Sequence, residues 1–597
     1  AAGRCASFPT YRSYALAVPT HSSPSSTSGC GGDPRLPTWV GELYFEYHRG
    51  TYTSQAAIKR ANRAAEQHYR MAEWLNAWAT SDGMPSQQAQ LDAGWQKILL
   101  NQFHDILPGS SIAAVYEEAH ADYTEITKIA AAVTQEAIKQ LLGKASSQES
   151  EVSSVAAGVR LQNAGFSSSG NEGFGPGAQV FVFNSLAWER RELVRLPLAL
   201  AEGLGAAEYQ RIEEQPGQLE ILAEVTAPPF GYAALVVTPK SSSELSVERE
   251  RLANDEIEIV LDAQGEIRSL YDRRHARELV LAGSTLNQLV LYEDRPLEWD
   301  AWDIDRFYLD KAYPVREIVD WSVVETGPLR AAIAITRRAG QSTITQRICL
   351  RRNSRNIDIH SEVDWQEQQM LLRALFPFAL NTTHATCEIQ FGALERPTHR
   401  NTSWEQARFE VSAQRWVDLS EGDYGVALLN NTIYGHSLND STLGLSLLKS
   451  AVFPDQEADR GGHRFTYSLY PHAGDWRTAQ VVRRAYELNA PLYIATVPET
   501  SAPALQHPHS YSFLTTPSAH VVVETVKVAN DGDGLIVRLY EAHNQRGPVT
   551  LHFTRAVQSA EETDMLERPR GSVTVAGDSI TFNVRPFEVK TLRVRLG

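Results

Sequence analysis

Small and apolar residues recur at helical spacing in three stretches near the N-terminus. They run from Ala57 to Ala79, from Leu91 to Leu99 and from Ile112 to Leu141. Residues three or four positions apart share one face of a helix, so this pattern predicts three amphipathic helices. The joints between them are short, which favours a compact three-helix bundle.

Small polar residues and helix breakers mark the expected ends of these helices. Thr53 or Ser54 can cap the first helix through a side-chain oxygen. Pro108-Gly109 does not continue a helix easily and is expected to separate the second helix from the third. Gly143 is the expected end of the third helix.

From about residue 179 onward the pattern changes to short runs in which apolar and polar residues alternate. VFVFNSL, EIEIVLD and TITQRICLRR are examples, and turn residues separate them. About 400 residues of this alternation predict antiparallel β-sandwiches and not βαβ units. The expected fold class is therefore α+β multidomain and mostly β, with a three-helix bundle followed by large antiparallel β-sandwich domains.

These changes in residue pattern divide the chain into successive segments. The first 35 residues are rich in Ser, Gly and Pro and predict a disordered tail that is either natural or aberrant. The expected segments after residue 50 are a three-helix middle domain at 51–143, a linker at 144–177, a β-sandwich domain at 178–509 and a C-terminal β-sandwich domain at 510–597.

Composition and charge narrow the class of protein. The 597 residues carry a formal net charge of −16, which repels nucleic-acid phosphates and anionic lipid. No apolar run approaches the ~20 residues that cross a bilayer, and no signal sequence opens the chain. Four cysteines without a CxxC indicate neither a disulfide framework nor a thiolate zinc site. We expect a cytoplasmic protein with no nucleic-acid or membrane partner.

The densest group of chemically active side chains is GELYFEYHRGTYT, from Gly41 to Thr53. It contains Glu42, Glu46, His48 and Arg49 together with three tyrosines. Carboxylates with aromatic neighbours are typical of sugar sites, because rings stack on C–H faces while carboxylates bind hydroxyls or move protons. The alternative is a helix-entry loop held by ion pairs.

The second group is NQFHDILPGSS, from Asn101 to Ser111. His104 and Asp105 lie at a helix end fixed by Pro-Gly, where a histidine can bind metal while the carboxylate accepts hydrogen bonds. A purely structural histidine is the alternative. His120 and Asp122 form an H-x-D pair, but two positions on a helix point about 200° apart, so they cannot chelate one ion.

The two groups occur in this order around a pair of predicted helices. Together they indicate a specific family, which neither group indicates alone. GELYFEYHRGTYTSQAAIKRANRAAE followed by LLNQFHDILPGSSIAAVY resembles glycoside hydrolase family 38, the zinc-dependent α-mannosidases. LYEDRPLEWDAWDID, RPTHRNTSWEQARFEV and PDQEADRGGHRFTYSLYPHAGDW extend the resemblance from about Leu36 to the end of the chain. The resemblance implies retaining hydrolysis of terminal α-linked mannose in oligosaccharides.

The resemblance also implies roles for individual residues. His104 corresponds to a zinc ligand of the family, and Asp105 to a partner of sugar hydroxyls. The acid/base region corresponds to Glu46, with Glu42 as the alternative. Further expected substrate contacts are Arg49, Tyr52, Arg460 and His463. For Arg460 and His463 in DRGGHRF, an ordinary loop held by ion pairs is the alternative.

Other parts of the family's site do not correspond to anything in this chain. The family places its nucleophilic aspartate and an early His-x-Asp zinc pair in an α/β-barrel, of which residues 36–50 resemble only the end. We therefore expect an incomplete Zn²⁺ site and a chain that is inactive alone. The alternative from another class is a non-catalytic carbohydrate-binding or oligomer-forming remnant of such an enzyme, with a homo-oligomer as a possible state.

Overall fold

The computed structural model describes residues 41–142, 160–162, 179–204, 208–215, 218–235, 244–497 and 510–597. The expected tail at 1–35 and Gly143 lie outside these residues. Of the expected linker at 144–177, only the strand at 160–162 is described.

Three long helices form the bundle that the periodicity predicts. They are α1 (Ala56–Ser81), α2 (Gln88–Asn101) and α3 (Ala113–Leu142), and two short helices follow as α4 (Ser403–Ala407) and α5 (Val481–Asn489). Short 3-10 turns lie at Glu46–His48, Gly50–Tyr52, Leu198–Leu204 and Arg306–Asp310.

The remaining described elements are strands. Strands β1 to β13 are Arg160–Gln162, Gln179–Asn184, Arg190–Pro197, Tyr209–Gln215, Gln218–Ala227, Gly231–Ala234, Leu245–Glu248, Arg251–Asn254, Ile257–Leu261, Ile267–Asp272, Arg277–Glu278, Gln288–Glu293 and Ala312–Pro314. Strands β14 to β27 are Glu317–Thr326, Arg330–Ala339, Ser342–Arg351, Ile357–Trp365, Met370–Pro377, His384–Ile389, Gly392–Pro397, Val411–Ser412, Trp416–Ser420, Tyr424–Asn430, Gly435–Asn439, Thr442–Lys449, Gly461–Ala473 and Tyr493–Val497. Strands β28 to β37 are Ser510–Ser512, Leu514–Thr515, Val521–Val528, Leu535–Glu541, Gly547–Phe553, Val557–Thr563, Pro569–Ser572, Thr574–Ala576, Ser579–Val584 and Val589–Leu596.

The largest body is a sandwich of antiparallel sheets. One sheet has nine strands in the order β14-β15-β16-β17-β26-β23-β22-β19-β20, and another has six in the order β13-β12-β18-β25-β24-β21. The sheet β11-β10-β9-β8-β7 contributes to the same core, which contains Ile259, Ile333, Leu372 and Leu428. Strand β17 shows why the sheets pack against a common core. Its buried residues alternate with less buried ones, so one face of the strand is the buried one.

Two smaller bodies complete the β part. In the first, the sheet β1-β27-β2-β6-β28 and the sheet β3-β5-β4 enclose Val182, Leu196 and Ile221. In the second, the sheet β30-β31-β37-β33-β34 and the sheet β29-β32-β36-β35 share a core with Val537 and Leu592. The expected fold class, a bundle followed by antiparallel sandwiches, is confirmed. Since β28 pairs with β6, one sheet contains residues from both sides of the boundary proposed at 509/510.

Helix α1 joins these bodies. One side of it packs on α2 and α3 through Tyr69 and Ala72, and its C-terminal half packs into the β core through Trp74 and Trp78. The Trp78 ring stacks on Tyr511 at 5.0 Å between centroids. Such complete burial of two tryptophans fixes the bundle against the sheets.

Among the described helices, none is long and apolar enough to cross a membrane.

A buried histidine in the large sandwich makes its stability depend on pH. His436 in β24 is 0% exposed, its Nδ1 lies 2.9 Å from the carbonyl oxygen of Tyr434, and burial lowers its pKa to about 4. The unfolded chain therefore binds one more proton than the folded chain between about pH 4 and the ordinary histidine pKa of about 6.5. This residue's contribution to stability is complete above pH 6.5 and is lost as the pH falls toward 4.

We expect His436→Asn to reduce the loss of stability between pH 7 and pH 4.5, by up to about 1.4 kcal/mol per pH unit. The measurement is urea unfolding followed by tryptophan fluorescence at both pH values. His552→Asn changes an exposed histidine and serves as the control. Equal pH dependence in wild type and both variants would contradict the assignment.

Candidate functional site

The two segments singled out in the sequence meet at the start of α1. The Lys59 ammonium is buried and donates to the carbonyl oxygens of Leu107 at 2.9 Å and Pro108 at 3.2 Å, and also to that of Ser54. A buried cation needs several oxygen partners to replace water, and here Ser54, directly after the first segment, and two residues of the second segment supply them. Lys59 therefore holds the start of α1 against the loop that follows α2.

Gly109 lets the backbones of these segments approach each other. Its φ is +91°, and a Cβ added there would lie 2.4 Å from the carbonyl oxygen of Ser54. Both the left-handed conformation and the close approach require the absence of a side chain. The Pro108-Gly109 pair therefore separates two helices and also permits the close contact with Ser54.

His48 lies within electrostatic reach of carboxylates from two other parts of the chain. Burial lowers the pKa of His48, and the carboxylates of Asp303 and Asp105 oppose that shift. Asp303 lies in the WDAWDID loop, part of one of the stretches that extend the family resemblance, and its pKa is raised by burial. The site therefore includes a carboxylate to which sequence reasoning assigned no definite role.

His104 and Asp105 follow α2 in an exposed loop. The His104 side chain is 76% exposed, and its Nε2 lies 3.2 Å from Oδ2 of Asp105. Asp105 is fixed from the other side, because the Ser110 hydroxyl donates to its Oδ1 at 3.0 Å and Tyr116 donates to its carbonyl oxygen. At this exposure the contact between the two side chains is weak and does not fix the imidazole.

The described residues do not by themselves fit a zinc site. Zinc takes four ligands in tetrahedral geometry, or three from the protein with an open position. Among the described residues, no group of three His, Cys, Asp or Glu side chains is arranged to hold a metal ion. His104 offers one imidazole and Asp105 one nearby carboxylate, so further ligands would have to come from elsewhere.

Glu46 lies in the short turn Glu46–His48 and is exposed, as is the neighbouring Tyr47. Arg49 and Lys59, which could have held Glu46 in an ion pair, have other partners. The described residues therefore leave this carboxylate at the surface, close to His48 in sequence and available to a ligand. Its catalytic role stays a prediction.

Glu42 and Arg49 are both held by the large sandwich. Glu42 forms a two-pronged ion pair with the buried Arg396, with N···O distances of 2.6 and 2.9 Å. Arg49 pairs with Asp303 at 3.3 Å, donates to the carbonyl oxygen of Ala407, and stacks 4.5 Å from the ring centroid of Phe409. These contacts give both residues a positioning role for the loop between them.

The three remaining predicted contacts fall in different places. Tyr52 and His463 line one cleft beside α1, and burial raises the pKa of Tyr52 to about 12. His463 is buried with its Nε2 2.6 Å from the carbonyl oxygen of Asp459. Arg460 instead pairs with Glu457 on the surface. As substrate contacts, all three stay predictions.

The capping residue of α1 was missed by sequence reasoning. Gln55 and Ala56 donate their backbone N–H groups to the two carboxylate oxygens of the buried Asp459, at 2.6 and 2.7 Å. The local candidates do not cap the helix, because the Ser54 hydroxyl donates to the carbonyl oxygens of Gly50 and Ala301 instead. No local sequence signal could have identified a cap from the sandwich.

Three family descriptions match the chain in order. Residues 46–141 match "Alpha mannosidase middle domain", residues 252–457 match "Glycosyl hydrolases family 38 C-terminal domain", and residues 520–592 match "Glycosyl hydrolases family 38 C-terminal beta sandwich domain". The first match contains the second segment of the candidate site and the first segment from Glu46 onward.

Curated relatives are similar over nearly all of this chain. It is 37% identical over 578 residues to "Alpha-mannosidase 2C1" of Homo sapiens, a match that covers 94% of this chain and 51% of the relative. It is 33% identical over 586 residues to "Alpha-mannosidase G" of Dictyostelium discoideum, covering 94% and 53%. The chain thus spans about half the length of the curated relatives it matches.

A solved structure shares the fold. An α-mannosidase from Enterococcus faecalis superposes with a TM-score of 0.72 at 18% identity, covering 92% of this chain and 69% of that one.

The contact at Gly109 can be tested against a matched glycine. Gly109 and Gly83 both have φ near +90°, but a Cβ at Gly83 would meet nothing within 4 Å. We expect both alanine variants to carry the strain of the left-handed conformation, and Gly109→Ala to lose about 1–3 kcal/mol more because its Cβ strikes Ser54. Thermal unfolding measures the difference. Equal losses would show that the two backbones do not need this approach.

Proposed function

We propose, since this chain belongs to glycoside hydrolase family 38, that it supplies the middle and C-terminal domains of an α-mannosidase. The reaction is the hydrolysis of terminal α-linked mannose in oligosaccharides with retention of configuration. It passes through a glycosyl-enzyme intermediate on a carboxylate nucleophile. The expected setting is oligosaccharide catabolism in the cytoplasm, and a homo-oligomer is compatible with the proposal.

The observation that carries this proposal is the exposed aromatic surface of the two segments that contain Glu46 and His104. Phe45, Tyr47 and Phe103 are large aromatic residues of the two segments, and each is more than half exposed. Exposed aromatic surface around fixed polar groups is typical of a ligand or domain interface. This surface therefore supports a composite active site that another domain completes.

Within that composite site we assign roles to three residues of this chain. Asp105, already fixed by Ser110, holds a mannose hydroxyl. Glu46 gives a proton to the leaving oxygen and later takes one from water, provided the completing domain and the sugar bury it. His104 donates one imidazole to Zn²⁺, whose remaining ligands lie outside the described residues. The nucleophile is likewise assigned outside them.

The first test is the activity of the chain alone. We expect residues 1–597 with added zinc to show no turnover of an aryl α-mannoside, because covalent catalysis without its nucleophile loses most of the rate enhancement. Fusion of a family 38 barrel ahead of Leu36 is expected to restore it. Activity of the unfused chain that disappears in His104→Ala would refute the composite site. Failure of a folded fusion to turn over or bind zinc would favour a non-catalytic remnant.

The second test separates the three roles in the fused enzyme. We expect His104→Ala to lose bound zinc and nearly all activity, and Asp105→Asn to keep zinc while losing substrate affinity and rate together. Glu46→Gln is expected to spare substrates with good leaving groups, which hardly need protonation, and to slow those with poor ones. Zinc content and kinetics on a leaving-group series are the measurements.

His552→Ala changes an exposed histidine of the C-terminal sheets and is the control for His104. The alternative acid/base residue gives a distinct outcome. If Glu46→Gln slows all mannosides by the same factor while Glu42→Gln shows the leaving-group dependence, the role belongs to Glu42.

A further inference from the structure

Lys449 is completely buried at one end of the six-stranded sheet. It is the last residue of β25, and Asp294 directly follows β12. Both strands pair antiparallel with β18 and therefore run in the same direction, so their C-terminal ends lie at the same end of the sheet. There the Lys449 ammonium donates to the Asp294 carboxylate, whose side chain is 1% exposed. A buried ammonium is stable only with such a partner.

Asp300 is a second carboxylate beside this ammonium. Its Oδ1 lies 4.0 Å from the Lys449 Nζ, and its Oδ2 accepts the backbone N–H of Val452 at 2.6 Å. The Oδ1 atoms of Asp294 and Asp300 are buried and have no hydrogen-bond partner among the described residues. Two carboxylates therefore share one cation, and removing Lys449 would leave both without it.

Asp300 belongs to the WDAWDID loop, residues 299–305, and this loop begins in an unusual conformation. Trp299 has a φ of +62°, which is rare for a bulky side chain. Its carbonyl oxygen accepts the N–H groups of Trp302 at 2.9 Å and Asp303 at 3.0 Å. Such a conformation persists only where surrounding contacts determine it. The shape of the loop therefore depends on its anchors, of which Asp300 is one.

The same loop holds the backbone of the candidate site. The carbonyl oxygen of Trp302 accepts the N–H groups of Gly50 at 2.7 Å and Thr51 at 3.2 Å. The carboxylate of Asp303 pairs with Arg49 at 3.3 Å. These three residues of the first segment directly follow the turn Glu46–His48, so the loop determines where the chain leaves that turn.

Gly50 also lies directly against Lys449. A Cβ added at Gly50 would be 2.6 Å from the Lys449 Cε and 2.9 Å from the carbonyl oxygens of Ala301 and Asp303. Only a residue without a side chain fits between the lysine and the loop. Lys449 therefore supports this backbone in two ways, by direct contact and through Asp300.

We propose that Lys449 is a positioning residue for the turn Glu46–His48. Asp294 holds its ammonium in place, and the ammonium fixes the WDAWDID loop through Asp300. The loop in turn fixes the residues that follow the turn. This role rests on the proposed function, which makes Glu46 the acid/base residue. Lys449 itself touches neither sugar nor metal there and acts only through geometry.

Hydrogen–deuterium exchange of the full chain, measured by mass spectrometry, tests this placement. Lys449→Met keeps an unbranched apolar side chain against Gly50 but removes the ammonium. We expect peptides covering residues 299–305 and 50–54 to exchange about tenfold faster or more, because the loop and its hydrogen bonds to Gly50 and Thr51 open more often. Peptides from residues 521–541 of the C-terminal sheets should exchange as in wild type.

Lys590→Met is the matched control. Lys590 is also buried and also faces two carboxylates, those of Glu562 and Glu588, but it lies in the C-terminal sheets. It should leave exchange at 299–305 and 50–54 unchanged. If circular dichroism shows that Lys449→Met is unfolded, Lys449→Met combined with Asp294→Asn takes its place, because the pair then leaves one fewer unpaired charge. Unchanged exchange at 299–305 and 50–54, or an equal increase in Lys590→Met, would overturn the proposal.

A positioning role also predicts a split between kinetic constants in the fused enzyme. Lys449→Met should lower kcat by about tenfold or more while KM stays within about threefold, because Glu46 acts in the transition state and Asp105 holds the sugar. A loss that lies in KM alone, or none at all, would contradict the positioning of Glu46. Absence of activity in the fused wild type would instead refute the hydrolase proposal, and the exchange measurement would still decide whether Lys449 fixes the turn.

Discussion

The relative positions of the bodies depend on three buried cationic side chains of α1, because each of them requires oxygen acceptors. Lys59 takes carbonyl oxygens from the bundle loop, Arg63 reaches the carbonyl oxygen of Gln414 and the side chain of Asn430 in the large sandwich, and Arg70 reaches the carbonyl oxygens of Val523 and Glu524 in the C-terminal sheets. Leaving any of these groups buried without partners would cost several kcal/mol, so the positions of three bodies are tied to one helix. Hydrophobic packing provides most of the stability, but these directional contacts decide where each body sits.

The candidate site inherits its geometry from the same arrangement. The first turn of α1 is fixed by Asp459 of the sandwich, and the preceding loop is fixed by the contacts of Glu42 with Arg396 and of Arg49 with Asp303. The loop carrying His104 is attached to this frame through Lys59 and Gly109. The helical bundle alone would therefore not place His48 within electrostatic reach of Asp105, because the sandwich determines where the chain enters the bundle.

Sequence periodicity was sufficient for the helices and the antiparallel sheets, and local composition for the two segments of the candidate site, because each is encoded in residues close together. Sequence periodicity did not predict contacts between residues that lie far apart in the chain. Thr53 and Ser54 had the right residue types for a cap, yet the cap is Asp459, about 400 positions away. The partners of Glu42 and Arg49 lie in the sandwich for the same reason, and the only signal for Asp303 was its place in a stretch that extends the family resemblance. Contacts of this kind depend on how separate bodies pack, which local spacing does not report.

The antiparallel sheet β1-β27-β2-β6-β28 has a consequence for how the chain acquires its structure. Val182 pairs with Ile494, so this sheet takes neighbouring strands from either side of the entire large sandwich. Bringing such distant residues together in an unfolded chain carries a large loop-closure entropy, which falls once the intervening segment is compact. Loop-closure entropy therefore favours formation of the large sandwich before the strands that flank it pair with each other. During synthesis on the ribosome, strand β6 follows β2 directly, but β27, the other neighbour of β2, is made only after the whole inserted body.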